Sequence, residues 1–122
     1  MPKKVVAVLN DLLFRVKIEE AAKRAGVELV VVQSQQETLN QAQNRPAFII
    51  LDLNDLKTEP LDTIGKLKSS HETKHISLLG YVSHVQTDLI QAARAQGCDE
   101  VMARSAFSQS LLKILSRYAR EQ

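Results

Sequence analysis

The feature that most constrains this chain is a regular change of hydrophobic period. Residues 5–9 are a short continuous apolar run that stops at Asn10-Asp11, the pattern of a strand buried on both faces. Residues 12–25 switch to helical spacing. Leu13, Val16, Ile18, Ala21, Ala22 and Ala25 mark one face, Lys17, Glu20, Lys23 and Arg24 the other, and Gly26 supplies a left-handed stop. The change then recurs. Residues 27–32 predict a second strand, and the capping box Ser34-Gln35-Gln36-Glu37 opens a helix running to about Asn44. Residues 48–51, closed by Asp52, predict a third strand, and Leu61, Ile64 and Leu67 a short helix after it. A fourth strand is expected at 75–81, a helix capped by Thr87 and ended by Gly97, a fifth strand at 100–103 and a last helix at 105–120.

Five strands alternating with five helices predict one α/β domain over residues 1–122, with no output domain. The architecture is a doubly wound (βα)5 parallel sheet with helices on both faces. Right-handed crossovers leave few topologies, and the order 2-1-3-4-5 is the common one for five strands, shared by flavodoxin-like folds. A chain of 122 residues buries roughly two thirds of its unfolded surface, enough for a core without metal or staples. The single cysteine, Cys98, makes no internal disulfide, which fits a cytoplasmic protein. No apolar run approaches the roughly 18 residues of a membrane span. Sixteen Lys and Arg against 14 Asp and Glu, with only 4% aromatic residues and no basic block, argue against a nucleic-acid platform. Lys113, Arg117 and Arg120 are expected to form a solvated helix face. His71, His75 and Cys98 do not make a zinc set.

Ligands of such sheets bind beyond the carboxyl ends of the strands. Strand 1 ends in Asn10-Asp11, strand 3 in Asp52 with Asn54 and Asp55 beyond it, strand 4 around residues 80–83, and strand 5 in Arg104. Two or three acids and one cation therefore converge on one edge. Oxygen donors of this kind suit Mg2+, which takes one or two carboxylates together with phosphate and water.

On residues 5–11, 49–52, the Ala-Arg-Ala-Gln-Gly-Cys joint and 101–111, the whole chain resembles the CheY-like receiver domain of bacterial two-component response regulators. That resemblance implies a phospho-acceptor at Asp52, an Mg2+ site at Asn10, Asp11 and Asp52, and a phosphate-contacting cation at Arg104. It also implies a hydroxyl that senses the phosphate at the end of strand 4, where either Gly80 or Ser83 stands. The sequence departs from the family at four points. Asn10 replaces an acid, Gly80 falls on the hydroxyl position unless Ser83 takes it, Val101 replaces a rotating aromatic, and Arg104-Ser105 replaces Lys-Pro.

Each residue also has a plainer reading. Asp11 makes a good N-cap for helix 1. Asp52 is alternatively a relic that pairs with Arg104 or caps a loop, and Arg104 a structural ion pair. The expected function is a stand-alone receiver-like signalling module of a phosphorelay system, a degenerate pseudo-receiver acting through protein contact. Its partner is a histidine kinase, a downstream signalling protein, or a second copy through helix 4–strand 5–helix 5, where Gln91, Arg94, Glu100, Met102, Lys113 and Arg117 offer contacts. The alternative is a conventional single-domain regulator phosphorylated on Asp52 with Mg2+ and switched by Ser83. A flavodoxin-like small-ligand binder is disfavoured, because no glycine- or Ser/Thr-rich loop follows strand 1. No catalytic triad or phosphate loop marks an enzyme. Leu12 and Phe14, if exposed together, are a docking candidate.

Overall fold

Each apolar run becomes one strand of a single sheet. In the computed structural model, which describes residues 3–84 and 86–119, the strands are β1 (Lys4–Val8), β2 (Glu28–Val32), β3 (Phe48–Asp52), β4 (Ser77–Val82) and β5 (Glu100–Ala103). All neighbours are parallel and the order is β2-β1-β3-β4-β5, as the alternation predicts. Between them run α1 (Leu12–Ala25), α2 (Gln35–Ala42), α3 (Pro60–Ser69) and α4 (Thr87–Ala95), and α5 (Arg104–Ala119) follows β5. Arg120, the expected end of the last helix, lies outside the described residues.

Strand pleating divides the core into two layers. Val5, Ala7, Phe48, Ile50, Leu79 and Tyr81 point to one face, where Phe14, Ile18 and Ala22 of α1 and Phe107, Leu111 and Leu115 of α5 cover them. Val6, Val8, Ile49, Leu51, Leu78 and Val82 point to the other, covered by Ala42 of α2, Ile64 and Leu67 of α3, and Ala93 of α4. Each fully buried large apolar side chain contributes about 1.5–3 kcal/mol. Local signals fix the ends. Asp11 accepts from the Phe14 amide at 3.2 Å as the α1 cap, and Gly26 takes φ 78° after it. Ser34 accepts from the Glu37 amide at 3.1 Å, and the Glu37 carboxylate accepts from the Gln33 amide at 3.1 Å, one residue outside the usual box.

Four expectations are corrected. The buried stripe of α1 is Phe14, Ile18 and Ala22, one i, i+4 row, while Leu13 and Val16 are 84% and 53% exposed. With three apolar residues in succession at its start, the sequence left the helix's rotation open, and the aromatic took the core. Leu12 is 70% exposed but Phe14 only 8%, so these two do not form a joint surface. Thr87 is the first residue of α4 rather than its cap; Gln86 holds the cap position without a side-chain bond. Met102 packs partly buried against the α1/α5 core and is not a free surface contact.

Candidate functional site

The carboxyl ends of β1, β3, β4 and β5 bring Asn10, Asp11, Asp52, Ser83 and Arg104 to one rim. Asp52 is the last residue of β3, half-buried, and its side chain follows Phe48 and Ile50 onto the α1/α5 face. Its Oδ1 accepts from the Asn54 amide at 3.0 Å, closing the turn that leaves the strand. Burial pushes the Asp52 carboxyl above its ordinary range; the Asn54 amide opposes this, Asp55 and Asp11 add to it by repulsion, and Arg104 partly offsets them. A half-buried carboxylate crowded by two others is the environment in which a bound cation brings relief.

Arg104 pairs with Asp11, not with Asp52: its guanidinium lies 3.5 Å from Asp11 Oδ2 and 5.9 Å from the Phe14 ring centroid. Both partners are about two-fifths exposed, so the pair contributes less than about 1 kcal/mol. The reading of Asp52 as an Arg104-paired relic is corrected accordingly; its other alternative, the loop cap, is present as the bond to Asn54. Asn10 donates from Nδ2 to Asp55 Oδ2 and, at 3.3 Å, to the Gln33 carbonyl. An amide thus stands against one acid of the cluster.

Gly80 and Ser83 occupy different environments. Gly80 lies inside β4 opposite Leu51, and a Cβ there would sit 2.8–2.9 Å from Leu53 side-chain carbons on the α2–α4 face. Ser83 follows the strand and lines a surface groove with Asp11, Phe14 and Arg104. Its amide donates to Asn54 Oδ1 at 2.7 Å, and Asn54 Nδ2 donates to Gln86, so the β3 loop is tied to the loop before α4. Of the two positions, Ser83 is the one that puts a hydroxyl at the rim.

Tyr81 was missed as a site residue. It stands in register with Asp52 and is 1% exposed, stacked on Phe107 at 5.5 Å and tilted against Phe14 at 5.0 Å. Its hydroxyl is buried with no hydrogen-bond partner, an arrangement that costs about 1–3 kcal/mol. Burial, and after it the Asp52 and Asp11 carboxylates, hold the phenol well above its ordinary range, so it is a donor at any working pH. The available signal was the residue type: a phenol in an otherwise apolar strand needs an account of its hydroxyl.

The donor set fits Mg2+ by its chemistry, being carboxylate and amide oxygens with mutual repulsion to relieve. No three of the described His, Cys, Asp and Glu side chains gather as a ready metal cage, but Mg2+ requires only one or two carboxylates. No helix of the described residues is long and apolar enough to cross a membrane.

The sequence matches no protein-family model and no curated protein. Among solved structures, it is similar to a response regulator from Hahella chejuensis, with TM-score 0.86 and 19% identity over 97% of this chain and 96% of that one. The chemotaxis response regulator CheY4 of Vibrio cholerae gives 0.81 and 23%, over 97% and 99% of the two chains. The receiver domain of a Pseudomonas aeruginosa sensor histidine kinase, solved with magnesium coordinated in its active-site cleft, gives 0.83 and 12%, over 99% and 100%. Five parallel strands in this order, closed by five helices and covered end to end by these neighbours, make the fold that of response-regulator receiver domains.

Proposed function

We propose that this chain is a cytoplasmic signalling receiver that accepts a phosphoryl group on Asp52 and acts through contact with other proteins. The observation that carries the reading is the state of Asp52. It lies at the rim, half-buried, crowded by Asp11 and Asp55, and has no ion-pair partner of its own among the described residues. Phosphoryl transfer asks the protein mainly for positioning and charge neutralisation. A carboxylate oxygen of Asp52 attacks the phosphorus of a phosphohistidine or acyl-phosphate donor, the bond from phosphorus to the donor breaks, and the donor leaves with that electron pair. Arg104 lies on the same rim to neutralise the phosphoryl oxygens, and Ser83 offers a hydroxyl to one of them. Asp11 and Asp52, with the Asn10 carbonyl, would hold Mg2+, which supplies further neutralisation. The chain works as a switch, not as a turnover enzyme.

A second reading, the pseudo-receiver acting by surface alone, is favoured by two contacts. Asn10 engages Asp55 and Arg104 engages Asp11, so two of the three acids already have partners. A second copy or another protein on the α4–β5–α5 side would then be the working contact; Gln91, Arg94, Glu100, Lys113 and Arg117 are exposed there.

Acetyl phosphate with Mg2+, followed by intact mass, separates the two. The proposal expects one added phosphoryl mass in the wild type and none in Asp52→Asn. An unchanged wild-type mass, with no Mg2+ binding, would leave the second reading.

A further inference from the structure

The described core holds four buried threonines, and each hydroxyl has an acceptor. Thr38 donates to the Ser34 carbonyl, Thr58 to Asp55, Thr63 to Thr58 and Thr73 to Leu67. Tyr81 is different: its Oη is buried with no partner. A phenylalanine would fill the same space between Phe14 and Phe107 without that cost, so the hydroxyl is unexplained by packing.

Its position is informative. Tyr81 is the direct register neighbour of Asp52, and both side chains lie on the α1/α5 face of the sheet. The ring is wedged between Phe14, whose amide is capped by Asp11, and Phe107, one turn into the helix that Arg104 begins. The groove lined by Asp11, Phe14, Ser83 and Arg104 opens on this face. A protonated donor without an acceptor therefore sits on the same face as Asp52 and next to it in register, beside the carboxylate proposed to be modified. Phosphorylation adds three strong acceptor oxygens.

We propose that Tyr81 is the sensing donor of this domain: its Oη–H gives a hydrogen bond to the phosphorylated carboxyl group of Asp52, and the ring passes the change to Phe14 of α1 and Phe107 of α5. This rests on the reading of Asp52 as phospho-acceptor. It assigns the sensing aromatic to β4, since β5 carries Val101 in place of one, and it sends the signal along the α1/α5 seam.

The chain has two tyrosines and no tryptophan, so in Tyr118→Phe the tyrosine absorption and fluorescence report Tyr81 alone. That variant keeps the ring stacked on Phe48. Acetyl phosphate and Mg2+ are added while intact mass and the tyrosine spectrum are followed together. The expected result is a Tyr81 spectral change that rises and decays with the added mass and is absent when Asp52→Asn is combined with it. Beryllofluoride, a phosphoryl mimic, is titrated in parallel, and Tyr81→Phe should bind it roughly tenfold more weakly than wild type, the effect of one hydrogen bond to a charged group. A mass gain with an unchanged Tyr81 spectrum, or equal beryllofluoride affinity in Tyr81→Phe, would overturn this proposal and leave the function standing. No mass gain in any variant would overturn both.

Discussion

The two faces of the sheet are built from different materials. All five aromatic residues, Phe14, Phe48, Tyr81, Phe107 and Tyr118, pack on the α1/α5 side. The α2–α4 side is aliphatic, and at the level of the rim it is closed by Leu53 lying against Gly80. Asp52 is on the aromatic side. A change of charge at Asp52 therefore meets a row of flat rings with a free donor among them, whereas the opposite face is closed at the rim by Leu53 and its buried threonine hydroxyls already have acceptors. Interiors packed to crystal density respond by discrete rearrangement rather than by yielding. Stacked rings between two helices supply such an arrangement here.

Breaking the aromatic face should have the largest effect. Phe107→Ala removes a fully buried ring and should cost about 3–5 kcal/mol in urea unfolding. It should also change the tyrosine spectrum, which an equally destabilising cut at Leu53 would not do. The aliphatic face is probed by Gly80→Thr, which puts a hydroxyl at the position the family resemblance suggests. Its Cβ would meet Leu53, so a loss of about 1–3 kcal/mol is expected. Pairing it with Leu53→Ala should recover part of that loss, a coupling visible in a double-mutant cycle. If Gly80→Thr were neutral by itself, the closed description of this face would be wrong.

Smaller effects concern the rim. Asp11→Ala removes the α1 cap and the Arg104 partner together, and should lower stability by about 0.5–2 kcal/mol. Asp52→Asn should do the opposite. An acid whose folded pKa is raised holds its proton more tightly when folded, so its ionised form costs stability. That cost is absent below the ordinary Asp range and complete above the raised folded value. Melting temperatures should therefore favour Asp52→Asn at neutral pH, with the advantage disappearing as the solution is acidified.

Much of the framework was legible in the sequence because its signals are local. The strand and helix alternation, the Asp11 and Ser34 caps and the Gly26 stop each depend on residues within one turn of one another. The rotation of α1 was not legible, because Leu12, Leu13 and Phe14 are all apolar and only the sheet beneath decides which is buried. The wiring of the rim was also hidden. Arg104 reaches Asp11 across 93 positions, Asn10 reaches Asp55 across 45, and Ser83 reaches Asn54 across 29. Charge and spacing placed these residues on one edge but could not say which pairs with which. Tyr81 escaped notice because a strand buried on both faces accepts an aromatic readily, and only its unpartnered hydroxyl marks it out.

The measurement that tests the account most directly is hydrogen exchange by mass spectrometry, with and without acetyl phosphate and Mg2+, on wild type and Asp52→Asn. The wild type should gain one phosphoryl mass, and its exchange should change first in the opening turns of α1 and α5, around Phe14 and Phe107. Asp52→Asn should remain silent in both readouts. A phosphorylated wild type whose exchange changes only in α3 and α4, with α1 and α5 untouched, would contradict the claim that Asp52 communicates through the aromatic face.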